Sequence, residues 1–416
     1  MRQTTTTASG VAVPASITNS ATVTQATWRF YGNKRVTPIA LVKPLHDFAK
    51  QQINNDQYVL AAVDWSKLDY KKHTSKTDIV QLTHAHDVGY ELTTQLLISA
   101  VHGGPIAPIQ MHLKTANGYL STAETAPPAE EHRLEQVTPL MRDAAKMGFS
   151  PKIVHLIDRE GDSVFLYRQW DEEDFLFLVR CDDRLVRYQN RLLKCSDVAA
   201  LLDKAGEFVQ SRSVLIKGMP AIQYVAEAKI VLDRPTRRKV SGRVVTIHGK
   251  ALTLRLVITR VVDPVSGEVL STWYMLTNVP SDVSAEQIAL WYYWRWEIES
   301  YFKLMKSGGQ QLEHWQQESG LAVLKRMLVA SMACAVVWSL QANGDAESEA
   351  FKLVLVRLSG KRLKRGSPPT AGVLLSGLFV WLQMIDFIAH IDADLTKIEQ
   401  LKTKFNKLLP RMEKNV

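Results

Sequence analysis

Three cysteines among 416 residues, Cys181, Cys195 and Cys334, with no two in CxxC spacing, give this chain neither a disulfide framework nor a structural zinc site. So sparse a set suits a reducing cytoplasm, which is the expected location. Long hydrophobic runs are also missing. The run Met327 to Leu340 is 14 residues long and follows Lys325 and Arg326, and Gly372 to Ile385 is equally short and ends at Asp386. A bilayer span takes about 20 apolar residues, so both read as buried helices and no membrane partner is expected. The opening MRQTTTTASGVAVPAS lacks the apolar stretch of a secretory signal. No internal repeat is present. His84 and His86 alternate along a short extended stretch, but with no third ligand at useful spacing they read as exposed loop histidines.

What is present is the composition of a folded protein, 46% hydrophobic and 22% charged. Lys and Arg number 51 against 42 Asp and Glu, a net charge of +9. That excess favours a polyanionic partner, because neutralised phosphates release condensed counterions; a merely solvated basic face is the alternative. The basic runs Arg234, Arg237, Arg238, Lys239 and Lys361, Arg362, Lys364, Arg365 carry the same two readings.

Along the chain, residues 1–26 are Thr-, Ser- and Ala-rich and are expected to be a disordered lead-in, with order from about Trp28. Thr37 to Gln52 reads as a helix, and Tyr58 to Val63 as a buried strand ending at Asp64. Tyr90 to Val101 and Ile106 to Lys114 flank Gly103, Gly104 and Pro105, a hairpin signal. A helix over Ala129 to Met147 closes at Gly148, Lys152 to Ile157 is a strand ending at Asp158, Ser163 to Gln169 is a short helix, and Phe175 to Arg180 is a strand. Residues 181–272 alternate and carry turn formers, as expected of a mostly β insertion. Beyond Pro280 the pattern is helical, near 284–307, 318–342, 345–359, 370–390 and 394–409. The fold class is α/β: a first core segment at 27–180, the β insertion, a strand and helices at 273–343 completing the core, and a helical region at 344–416.

Asp64 and Asp158 each end an apolar run of six. In open α/β sheets that strand edge gathers ligands and catalytic groups, although an Asp there also serves as a plain turn or helix cap. A third acid lies in WYYWRWEIESYFKLMKSG, residues 291–308. At about 100° per residue, Tyr292, Arg295, Glu299 and Lys306 share an arc of roughly 60° beside an apolar stripe. The bland reading is a solvated Arg295–Glu299 ion pair; against it stands the weight of aromatic residues around the acid.

Tyr292-x2-Arg295-x3-Glu299-x6-Lys306 matches the Y-R-E-K signature of bacterial insertion-sequence transposases with a DDE active site, the insertion-sequence-four-like family. Ala61-Ala62-Val63-Asp64 resembles that family's first catalytic block, and Asp158-Arg159-Glu160 its second. Phe177 to Arg180 and Trp273 to Thr277 resemble the neighbouring strands, so the resemblance covers roughly residues 27 to 340. It implies a ribonuclease-H-like mixed sheet and a cut-and-paste DNA transposase. Asp64, Asp158 and Glu299 would be its catalytic acids, holding two Mg²⁺ ions, or Mn²⁺ in their place, for phosphoryl transfer. It also implies double-stranded DNA, transposon ends and target, as substrate, and a homodimer on that DNA. Tyr292, Arg295, Lys306, Trp273 and Arg180 are the implied DNA contacts, and Trp273 reads equally as core.

Two rival readings remain. Only 57 residues precede Tyr58, short for the end-recognition domain of related enzymes, so a truncated copy that binds DNA or dimerises and inhibits transposition is one alternative. A two-carboxylate glycosidase is the other. Arg295 and Lys306 argue against it, because neighbouring cations are expected to keep Glu299 ionised.

Overall fold

The computed structural model describes residues 4–6, 12–14, 20–53, 55–84, 86–128, 133–216, 218–240, 243–364 and 366–391. The two short strands β1 (Thr4–Thr6) and β2 (Ala12–Pro14) pair with each other. Helix α1 (Ser20–Gly32) begins eight residues before Trp28, inside the segment expected to be disordered. Tertiary contact accounts for the difference. Tyr31 is buried, and the Lys325 ammonium donates to the carbonyls of Tyr31 and Asn33 at 3.1 and 2.9 Å. Composition alone does not register such a docking site. Helix α2 (Pro38–Gln52) starts at Thr37, whose hydroxyl accepts from the Ala40 N–H at 3.2 Å, with proline in the first turn where its missing donor costs nothing.

One sheet dominates the molecule. Its first half is β3 (Tyr58–Asp69), the two-residue β4 (Val80–Gln81), β5 (Val88–Ser99), β6 (Pro105–Thr115) and β7 (Gly118–Ser121), paired antiparallel among themselves. After α3 (Val137–Lys146), β8 (Lys152–Ile157) returns parallel to β3. After α4 (Val164–Glu172), β9 (Leu176–Cys181) lies parallel to β8. The helix expected over Ala129 to Met147 is a 3₁₀ turn at Arg133–Gln136 followed by α3; residues 129–132 lie outside the described set.

The β-rich region contains β10 (Leu185–Tyr188), β11 (Arg191–Lys194), helix α5 (Cys195–Lys204), β12 (Val209–Ile216), β13 (Met219–Leu232), the separate hairpin β14 (Thr236–Val240) and β15 (Arg243–Ile247), and β16 (Leu252–Val262). It does not stand apart. Strand β17 (Val269–Thr277) pairs antiparallel with both β16 and β9, so the sheet runs unbroken in the order β11-β10-β13-β16-β17-β9-β8-β3-β5-β6-β7. Alternation along the strands separates two cores. Leu178, Val257 and Met275 join the one that holds α2 and the C-terminal helices, whereas Val179, Ile258 and Leu276 join the one under α3, α4 and α5.

The helices after β17 are α6 (Ala285–Trp294), α7 (Glu297–Lys303), α8 (Gly320–Ala342), α9 (Ala346–Leu358) and α10 (Ala371–Ile391). Ser319 and Asp345 cap α8 and α9 through their side-chain oxygens. By length and composition α8 is apolar enough to cross a membrane, but 72% of its apolar window is buried inside the protein, against β6, α2 and α10 among others. The helix expected at 394–409 lies outside the described residues.

Candidate active site between β3, β8 and the helix after β17

Strands β3 and β8 pair in parallel with Ala62 opposite Leu156, and the same offset sets Asp64 level with Asp158. Asp158 directly follows β8, whereas Asp64 lies inside β3, which runs on to Asp69 instead of ending at the acid because Asp64 to Asp69 go on pairing with β5. Arg180, at the end of β9, is the next along, because Ile157 pairs with Val179. Asp64 accepts from its neighbour's N–H, that of Trp65, at 2.7 Å. Asp158 accepts from the Glu160 N–H at 2.9 Å and so caps the 3₁₀ turn Arg159–Gly161, which is the plain role open to it from sequence. That turn is tight: a Cβ on Gly161 would come within 2.4 Å of the Ile157 side chain.

The third acid arrives on a broken helix. The continuous helix expected near 284–307 is interrupted at Arg295 and Trp296, between α6 and α7, and ends in a π-turn over Leu304–Gly308. Its upstream half is fixed to the β5–β6 turn: the Trp291 indole donates to the Ala100 carbonyl at 2.9 Å, and Trp294 occupies the space a side chain at Gly103 would fill. Gly103 also has φ +74°, so glycine is required there twice over. Downstream, Ile298, Tyr301 and Phe302 are buried, and the Tyr301 hydroxyl meets that of Ser331 on α8 at 2.8 Å.

Between these supports Arg295 spans two of the acids. One terminal nitrogen donates to Asp64 Oδ2 at 3.0 Å, and the other donates to Glu299 Oε1 at 3.0 Å. Burial raises the Asp64 carboxyl above its usual range, in spite of the guanidinium and the Trp65 N–H, and the Asp158 charge adds to the rise. Glu299 is also raised, again chiefly by burial and against the pull of Arg295, with Asp64 and Asp158 adding to it. At Glu299 desolvation thus outweighs the pull of the shared guanidinium, and the net shift runs opposite to the one the neighbouring cation alone would impose. Burial works against the charge on Arg295, but Tyr292, Asp64 and Asp158 together more than offset it. Tyr292 is pushed up to about 12 by burial and stays a neutral phenol.

Three of the remaining residues singled out from sequence, Tyr292, Trp273 and Arg180, adjoin this centre. Tyr292 precedes Arg295 by one turn, its ring edge-on to Trp273 at 5.9 Å. The Arg180 guanidinium lies over the Trp273 ring at 5.0 Å, so this partly buried tryptophan is occupied on both counts by protein groups. Lys306 is placed differently. In the π-turn its ammonium donates to the Lys67 carbonyl and lies 3.7 Å from Glu313, with no contact to the three acids. Arg234 and Arg237 line a cleft of about 680 Å³ with Asp162 and Arg184, and Arg365 lies outside the described residues. His84 and His86 are exposed.

One contributor carries no sequence signal. Arg133 pairs with Glu160 and lies over the Trp65 ring at 5.6 Å, tying together the segments that hold Asp158 and Asp64. Asp162, in the same block as Asp158, is scaffolding: it accepts from the Tyr167 hydroxyl at 2.7 Å, from the Asp182 N–H at 2.9 Å and from Arg184.

Among the described residues no three His, Cys, Asp or Glu side chains close around one point. The chemistry of the donors nevertheless fits a hard cation. All are carboxylate oxygens, two are desolvated beyond what one guanidinium compensates, and that guanidinium already stands where a cation would link Asp64 to Glu299.

No family model and no curated protein matches this sequence. Among solved structures the chain is similar to the piggyBac transposase of a cryo-EM synaptic complex with hairpin DNA, at 11% identity and a TM-score of 0.38. The match covers 90% of this chain and 63% of that one, and so low a score does not establish a shared fold.

Proposed function

We propose that this chain is a bacterial DNA transposase that cleaves at transposon ends and joins the freed strand to target DNA by metal-dependent phosphoryl transfer. The observation that carries the reading is the meeting of Asp64 and Glu299 on one guanidinium, with Asp158 level with Asp64 on the adjacent parallel strand. An antiparallel meander continuing into two parallel strands supports a ribonuclease-H-like core for it. Asp64, Asp158 and Glu299 would hold two Mg²⁺ ions, or Mn²⁺. When bound, these would activate the attacking oxygen and stabilise the leaving one.

The chain's own groups do the rest. Arg295 can grip a phosphate through both terminal nitrogens. Tyr292, kept neutral by burial, can donate its phenolic proton to a phosphate oxygen without adding charge. Arg180 supplies a further cation at the end of β9, held flat by Trp273. The reading places the protein in the cytoplasm with double-stranded DNA as substrate, acting as a homodimer that pairs two ends.

The test is nicking of supercoiled plasmid by the purified chain with Mg²⁺ or Mn²⁺. Nicking should disappear in EDTA and in each of Asp64→Asn, Asp158→Asn and Glu299→Gln. Nicking that survives EDTA or Asp64→Asn sinks the proposal, and a metal-independent hydrolase, the other use of raised carboxyls, would then stand. A second reading, a DNA-binding inhibitor that does not cut, is favoured by the lack of a closed three-carboxylate cage among the described residues. Binding without nicking in either metal decides for it.

A further inference from the structure

The position of Arg295 has a consequence for the order in which the site fills. Its side chain is 11% exposed, and both its terminal nitrogens are committed to acids, Asp64 Oδ2 and Glu299 Oε1, each at 3.0 Å. A divalent cation bound to the same two oxygens would have the guanidinium as an immediate like-charged neighbour. Both cations would draw on the same two oxygens and repel each other across them, so each weakens the other's hold. A phosphodiester, by contrast, offers Arg295 an acceptor of the charge and shape it now finds in the carboxylates.

We propose that Arg295 is the resident counter-cation of the DNA-free site: it holds Asp64 and Glu299, keeps divalent cations out, and is drawn off by a DNA phosphate, so that metal binding follows DNA binding. This rests on the transposase reading and adds an ordering to it. The ordering would keep the cutting centre unloaded until its substrate is in place. It needs no domain movement, only a change of rotamer at the break between α6 and α7, where the helix is already interrupted.

The experiment follows free Mn²⁺ by electron paramagnetic resonance during titration of the full chain, with thermal unfolding confirming that each variant folds. Wild type should bind Mn²⁺ weakly. Arg295→Gln, which removes the charge, should bind at least about tenfold more tightly, as expected for lifting one positive charge from beside a dication even at high effective dielectric. Arg295→Lys, which keeps the charge, should stay near wild type, and Arg295→Met, also uncharged, takes the place of the glutamine variant if that one misfolds. Adding Asp64→Asn to Arg295→Gln should abolish the gain. A short duplex of mixed sequence, with its own Mn²⁺ binding subtracted, should tighten binding in wild type and not in Arg295→Gln.

If wild type already binds Mn²⁺ in an Asp64-dependent way and Arg295→Gln binds no tighter, the counter-cation role is wrong and the transposase reading stands. Equal tightening of both proteins by the duplex overturns the role in the same way. If no variant shows Asp64-dependent Mn²⁺ binding, with or without duplex, the metal-dependent reading itself fails, and the proposal with it.

Discussion

Replacing Arg295 by methionine should destabilise the protein at pH 8 and matter much less near pH 4. Methionine keeps most of the stem volume and removes the charge, so the loss is electrostatic. Breaking a buried ion pair from one side costs about 3–5 kcal/mol, because the partner charge is left uncompensated. Here the partners are unequal. The Asp64 side chain is 17% exposed and suffers the larger penalty, whereas Glu299, at 37%, is partly relieved by water. The lower end, about 3 kcal/mol, is therefore expected at pH 8. The sign with pH follows from linkage. Asp64 and Glu299 are already raised in the folded state, and Arg295 is what lowers them, so its removal raises them further while the unfolded values stay put. The folded variant then binds protons more readily than the unfolded chain, and the penalty, full above the folded values, fades as the pH falls toward the ordinary carboxylate values near 4. Urea unfolding in EDTA, followed by tryptophan fluorescence at both pH values, measures it. An equal gap between wild type and variant at the two pH values would refute the reasoning.

Trp170→Ala should cost about 3–5 kcal/mol in urea unfolding, since Trp170 is fully buried and its indole donates to Thr138 at 2.9 Å. Gly377→Ala should free α10 from α9, because a Cβ there would lie 1.9 Å from the Leu355 carbonyl oxygen; faster proteolysis of α10 with the sheet left intact is the readout. Trp273→Leu removes the ring under Arg180, a contact worth about 0.5–2 kcal/mol, and should lower the urea midpoint and DNA affinity together. A loss of cleavage at unchanged stability would assign that ring to DNA instead.

Much of this was legible in the sequence because it is local. The apolar run ending at Asp158 is β8 and the run before Asp64 is the first half of β3, and the Thr37, Ser319 and Asp345 caps lie where the periodic patterns start. The four-residue spacing of Arg295 and Glu299 does bring them together. What was illegible depends on distant partners. Helix α1 owes its order to Lys325, nearly 300 positions away. The break at Arg295 and Trp296 arises within a strongly helical pattern, and Lys306, expected on the same arc as the acids, falls in the π-turn that ends the helix. Strands β10 and β11 are four residues each, too short to show a period, and three of the five residues of β14 are charged. That β17 would weld the β-rich region to β9 is a matter of pairing, which periodicity does not encode.

That weld has a mechanical meaning. Four residue pairs, from Tyr274–Cys181 to Thr277–Leu178, join the two halves of the sheet in the middle of a single beam. Swinging the β-rich half like a jaw would mean tearing main-chain bonds on strands that adjoin the acids. On the transposase reading proposed above, any bending or untwisting needed to seat a duplex against Asp64 and Asp158 would therefore fall on the nucleic acid.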